Sequence, residues 1–307
     1  MDARNRVQRA LAGETVDRPP LCMWHHFRPS ASPQALAEAT LDFFGALDLD
    51  IYKIMPDLPY PEPDGQPGPD WRERGPSRAD AEPGPARTTR AVRQARPKAV
   101  VLVTLFSPLY WGMRWSGGAD AFRQLASRDP AGTARGLEAL AEDLSGLARA
   151  CLGAGADGIY FATAGMGEGL WDEEGYRRWG CPYDLAVLAA AASGWCNVVH
   201  LHAATDLRWR LGRTYPAHVF SWSDRRTGIP LAEVAAELPG KTVMGGLDET
   251  GAVVRGDMDG VRQEMRDAIR QTGGRRLILA NGCSVPDDIP LVHLLGVRGV
   301  VDEFEQG

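Results

Sequence analysis

Short apolar runs and stretches of helical period alternate along this chain. Runs at 21–27, 50–56, 99–106, 158–164, 197–202, 218–222, 242–246 and 276–280 are brief, rich in β-branched residues and bounded by Gly, Pro or Asp, a pattern that predicts strands. The run at 99–106, AVVLVTLF, carries no polar alternation, so it reads as a strand covered on both faces, as parallel strands are. Apolar residues recur at helical spacing over 4–12, 33–47, 119–127, 132–152, from the turn at 165–169 to about 193, and over 229–238, 256–272 and 289–305. Between strands five and six the pattern leaves only a short helix, 206–213. Eight strands alternating with helices predict an α/β protein, a closed (β/α)8 TIM barrel folded as one domain over 1–307. The stretch 57–85 breaks the rhythm: it is rich in Pro, Gly and charge, and too long for a plain connection. It reads as a long loop after strand two, either a lid or an unstructured segment.

Composition narrows the classes. The chain is 44% hydrophobic and 24% charged, ordinary for a folded soluble protein. Its net charge of -6 and pI near 5.6 argue against a nucleic-acid surface, whose footprint is basic. No run of eighteen apolar residues and no apolar signal core are present, so the expectation is a cytoplasmic protein that neither spans nor enters a membrane. Five cysteines, Cys22, Cys151, Cys181, Cys196 and Cys283, are odd in number and scattered; they form no disulfide framework and are expected to be reduced. The Gly-rich GMGEG at 165–169 lacks the Lys-Ser or Lys-Thr of a phosphate loop.

In a barrel of this kind the active site forms at the C-terminal ends of the strands. Strand five carries NVVHLHA at 197–203; residues i and i+2 of a strand face the same way, so His200 and His202 project together. Past strand eight, LILANGC at 277–283 puts the thiol of Cys283 on the same rim, and two imidazoles with a thiolate suit a metal, zinc or equally iron. The plain alternative is a pair of satisfied core histidines and a cysteine acting as a small buried hydrophobe. Other polar residues on the rim are His25 and His26, Lys53, Asp57, Tyr110, Arg114, Glu168, Ser223, Asp224, Arg225, Asp248 and Asn281. His25 and His26 are adjacent and face opposite ways, so one of them enters the barrel mouth as a proton carrier or substrate contact. Trp24, Trp111, Trp115 and Trp222 lie near strand ends and could wall an apolar pocket.

Five segments in order, RVQRALAGETVDRPP at 6–20, KIMPDL at 53–58, GADGIY at 155–160, VMGGLD at 243–248 and LANGCSVPDDIP at 279–290, resemble the uroporphyrinogen decarboxylase family, a barrel family that also holds zinc-dependent methyltransferases acting with corrinoid proteins. The methyltransferase branch carries a His-x-Cys pair on strand five and a Gly-Cys near strand eight as zinc ligands. The resemblance therefore implies zinc at His200, His202 and Cys283, with His202 replacing the usual Cys, and a corrinoid supplied by a partner protein. It also implies a homodimer. The true decarboxylases carry an Arg-rich segment ending Gly-Arg-Tyr at strand one. This chain has WHHFRPS at 24–30, which keeps Arg28 alone, retains Asp57 where the decarboxylases place an aspartate, and has Cys283 where they usually have His.

Three readings follow. The first is a zinc-dependent methyltransferase that activates a nucleophile, a thiol, for methyl transfer from a corrinoid or similar donor, with Trp24, Tyr110, Glu168 and Trp222 as substrate contacts. The second is a cofactor-independent decarboxylase or lyase in which Asp57 stabilises positive charge while Lys53, Arg28 and Arg114 bind carboxylates. The third is a binding protein whose catalytic site has decayed.

Overall fold

The computed structural model of the chain describes residues 1–27, 32–58, 82–167 and 169–305. Most of the 57–85 loop, together with Arg28 and Glu168, lies outside the described residues. The strands are β1 (Leu21–Cys22), β2 (Ile51–Ile54), β3 (Val100–Phe106), β4 (Gly158–Ala162), β5 (Val198–His200), β6 (Val219–Ser221), β7 (Thr242–Leu247) and β8 (Leu277–Asn281). All pairings are parallel, in the order β1-β8-β7-β6-β5-β4-β3-β2, which makes a (β/α)8 barrel. At the seam β1 and β2 share no ladder, but Asp50 N donates to the Leu21 carbonyl at 3.1 Å and the ring is nearly closed.

The strands are apolar because both their faces are covered, by side chains filling the barrel inside and by helices outside. The helices are α1 (Ala3–Ala12), α2 (Pro33–Ala46), α3 (Gly84–Ala95), α4 (Pro108–Trp115), α5 (Ala119–Arg128), α6 (Pro130–Gly153), α7 (Glu173–Trp179), α8 (Cys181–Ala190), α9 (Asp224–Thr227), α10 (Leu231–Glu237), α11 (Ala252–Arg255), α12 (Met258–Thr272) and α13 (Leu291–Asp302). Several begin at a side-chain cap followed by proline: Ser32 before Pro33, Ser107 before Pro108 and Asp129 before Pro130 each accept a backbone N–H of the first turn. Among the described residues no helix is long and apolar enough to cross a membrane.

The first strand is shorter than its apolar run. After Cys22 the chain leaves the ladder, because the amide of Asn281 takes Trp24 N at 3.2 Å and gives to Trp24 O at 3.0 Å, holding 23–27 as coil over the barrel mouth. Strand five likewise stops at His200, and its return to β6 contains a 3-10 turn, Trp209–Gly212, in place of a full helix. The long helix expected up to 193 is two, α7 and α8, broken at Gly180.

Candidate metal centre and its cavity

His200 ends β5 and points into the barrel, its ring buried and stacked on Tyr160 of β4, with centroids 5.5 Å apart. Its Nδ1 meets Ser221 Oγ of β6 at 3.3 Å, and the Tyr160 hydroxyl meets the same Oγ at 3.3 Å. One ring nitrogen is thereby fixed in place and Nε2 is left for a ligand. Burial holds the His200 pKa well below its ordinary value, so the ring is neutral and its lone pair is available. His202 lies beyond the strand end and exposed, yet it keeps the same side as His200, with the two rings 5.6 Å apart.

Cys283 reaches the pair through a tight turn. Asn281 Nδ2 donates to the Cys283 carbonyl as well as to Trp24, and Gly282 N donates to Leu247 O at 3.1 Å. A Cβ on Gly282 would lie 2.6 Å from Ser223 Cα and 2.8 Å from Glu249 Oε2, so the chain can pass there only as glycine. Glu249 is itself buried and accepts from Ser223 Oγ at 2.7 Å. The donor atoms of His200, His202 and Cys283 all lie within 4.8 Å of one another, a spacing and a donor set that fit a transition metal such as zinc. Burial raises the Cys283 thiol pKa.

These three residues line a cavity of about 640 Å³ at the C-terminal ends of the strands. Trp24, Phe106, Tyr110, Trp111, Trp115 and Tyr160 form much of its wall, and His26, Lys53, Asp57 and Arg114 supply polar groups. Asp57 is nearly buried; one oxygen meets His26 Nδ1 at 2.7 Å and the other accepts Phe27 N at 2.8 Å. Lys53, fully buried on β2, lays Nζ over the faces of Tyr160 at 4.3 Å and Trp24 at 4.9 Å and donates to Met55 Sδ at 2.9 Å.

His25 and Trp222 do not line this cavity. The His25 ring turns the other way, against Phe43 at 4.6 Å and Phe27 at 5.0 Å, as adjacent residues on an extended chain must. Trp222 is fully buried, with Nε1 donating to Ile229 O at 3.0 Å. Asp224 and Arg225 brace the frame instead: the carboxylate takes Gly246 N at 2.9 Å and the guanidinium pairs with Asp267 at 2.7 Å. Tyr160, Ser221 and Thr104 were singled out as site residues in no sequence reading. Their one signal is a polar tip at an inward position of an otherwise apolar strand, which spacing alone does not separate from core packing.

A family model, "Uroporphyrinogen decarboxylase (URO-D)", matches residues 87–304, well over half of the chain. The chain belongs to the uroporphyrinogen decarboxylase family. Among solved structures this family member is similar to a methyltransferase from Methanosarcina mazei at 15% identity and a TM-score of 0.78, with 100% of each chain covered. It is also similar to a B12-independent methionine synthase from Shewanella in complex with selenomethionine, at 14% identity and a TM-score of 0.58, covering 95% of this chain and 97% of that one. At such identities the likeness is one of fold. No curated protein sequence matches the chain.

Proposed function

We propose that the chain is a zinc-dependent methyltransferase that methylates a small thiol, with the methyl group drawn from a corrinoid carried by a partner protein or from a similar donor. The observation that carries this reading is the convergence of His200, His202 and Cys283 within 4.8 Å at the cavity, a three-ligand set that leaves a fourth position open. His200, His202 and Cys283 would hold zinc, which when bound would favour the thiolate over the thiol of a substrate at neutral pH. The Methanosarcina fold relative is a methyltransferase and the Shewanella one, a methionine synthase, is in complex with selenomethionine, which supports the same direction.

The chain's own groups divide the remaining work. Ser221 and Tyr160 orient His200, and Asn281 with Gly282 holds Cys283. The Asp57 carboxylate fixes the His26 ring through Nδ1, and in the neutral tautomer that donates there Nε2 is the atom that would accept the proton of an incoming thiol. The aromatic wall excludes water from the nucleophile. A second reading, a carboxy-lyase centred on Asp57, is favoured by one observation: that carboxylate is nearly buried at the edge of the same cavity.

Elemental analysis of protein purified without a metal-affinity column tests the first reading. The expected result is about one zinc per chain, lost in both His202→Ala and Cys283→Ala. Full metal occupancy in the two variants, or a folded protein that stays metal-free after zinc addition, overturns it.

A further inference from the structure

Lys53 forms no ion pair with a carboxylate among the described residues; Asp57, like the thiols of Cys22 and Cys283, acts on its charge only from a distance. Its side chain is 1% exposed, and the neighbours of Nζ are a thioether sulfur at 2.9 Å and two ring faces at 4.3 and 4.9 Å. Ring faces attract an ammonium group without neutralising it. Buried lysines are otherwise almost always paired. The carboxylate nearest in kind, Asp57, lines the same cavity but has both oxygens engaged, by His26 Nδ1 and Phe27 N. Burial draws the Lys53 pKa down to about 8, which still leaves most of it protonated at neutral pH. An anion entering this cavity meets a cation that has already lost its water, where a charged hydrogen bond is at its strongest.

The remainder of the wall limits what the anion is attached to. Phe106 stacks on Tyr110 with centroids 4.2 Å apart, and Trp111 packs edge-on to both and against Trp115. Flat side chains lining a cavity of about 640 Å³ accommodate a planar apolar body better than a polar chain.

We infer that Lys53 is the anion-binding end of the substrate subsite, and that the substrate is a small aryl carboxylic acid whose carboxylate sits on Nζ while its ring lies against the aromatic wall. The assignment rests on the methyltransferase reading for the reacting thiol end alone; the carboxylate contact needs no metal. A fixed ammonium group selects by charge, so neutral and cationic analogues of the same shape bind less well.

Trp24, Trp111 and Trp115 line the cavity, so tryptophan fluorescence of the full chain reports binding directly. Benzoate, benzyl alcohol and benzylamine are titrated at pH 7, with butyrate as the non-planar acid and zinc content measured on the same samples. Benzoate is expected to bind about thirtyfold more tightly than benzyl alcohol, and benzylamine less well than either. Lys53→Met and Lys53→Gln should bring benzoate down to the level of the alcohol while leaving the alcohol unchanged, and Lys53→Arg should restore the preference. Equal binding of benzoate and benzyl alcohol, no saturable benzoate binding, or a preference that survives loss of the ammonium group overturns the assignment. Butyrate binding as tightly as benzoate overturns its aryl part. The wild-type comparison of the probes decides even where a Lys53 variant fails to fold. Folded protein that stays metal-free after zinc addition and still prefers benzoate sinks the zinc reading and leaves this one standing.

Discussion

Asp57 is the residue on which the two catalytic readings divide. Its carboxylate fixes His26 through Nδ1 and pins the coil after β1 through Phe27 N, so in the methyltransferase it positions a proton acceptor, and in a lyase it faces the reacting ring itself. Asp57→Asn keeps the size and one acceptor oxygen but removes the charge. For methyl transfer the expected outcome is a fall in kcat of about 10²–10⁴-fold, since a misplaced base loses one acid–base contribution, with measurable turnover left and zinc content unchanged. Complete loss of turnover at full zinc occupancy favours the lyase. His200 and His202 drew attention in the sequence because strand periodicity forecasts a shared direction, and Cys283 because it follows strand eight on the same rim. The surroundings of Lys53 were not legible in the same way. Its burial under Trp24 and Tyr160 comes from segments far apart in the chain, the coil after β1 and strand β4, and nothing in the wording of KIMPDL marks a lysine as fully buried.

Helix α8 carries a group of a different kind. Asp184 lies buried among hydroxyls: Tyr176 donates to it at 2.6 Å and Tyr215 at 2.8 Å, while its second oxygen has no partner. Burial pushes its pKa up to about 7, above the 3.8 of an exposed carboxyl. Between those values the unfolded chain is ionised at this residue and the folded one is not. The contribution of Asp184 to stability therefore falls as pH rises from about 4 to about 7 and is flat above that, by at most about 4 kcal/mol. Asp184→Asn keeps an acceptor for both tyrosines and removes the titration. Urea unfolding at several pH values should show the wild type losing ground to the variant across that window, and parallel profiles would refute the account.

The same helices show where periodicity stops informing. α4, PLYWGMRW, is buried nearly all round and so presents no polar face to mark its period. α3, GPARTTRAVRQA, buries its threonines, which a hydrophobicity pattern scores as surface. The break between α7 and α8 falls at Gly180, against which the Tyr176 ring packs so closely that a Cβ would lie 2.6 Å away.

For the whole molecule, the barrel was legible because eight buried strands repeat the same apolar sentence, and the family signature runs along most of the chain. The way the ring closes at its seam was not. The seam between β1 and β2 lacks a ladder and is held by Asp50, whose carboxylate takes Leu21 N at 2.8 Å, Arg6 at 2.5 Å and Arg18 at 2.7 Å, all buried at the end of the barrel opposite the cavity. Removing one partner of a buried ion pair leaves the other charges uncompensated. Asp50→Ala is expected to cost about 3–5 kcal/mol in denaturant unfolding while zinc stoichiometry in the folded protein stays the same. A loss below 1 kcal/mol would show that the ladder-free seam is held by packing alone.

Of the three candidate ligands, His200 is locked in the barrel wall and Cys283 depends on a glycine turn, but His202 stands past the end of β5, exposed and outside the packed interior. In the proposed metal centre His202→Cys would therefore swap a nitrogen donor for sulfur at the one ligand position that is not built into the barrel wall, and is expected to change the reactivity of the centre more than the packing of the barrel.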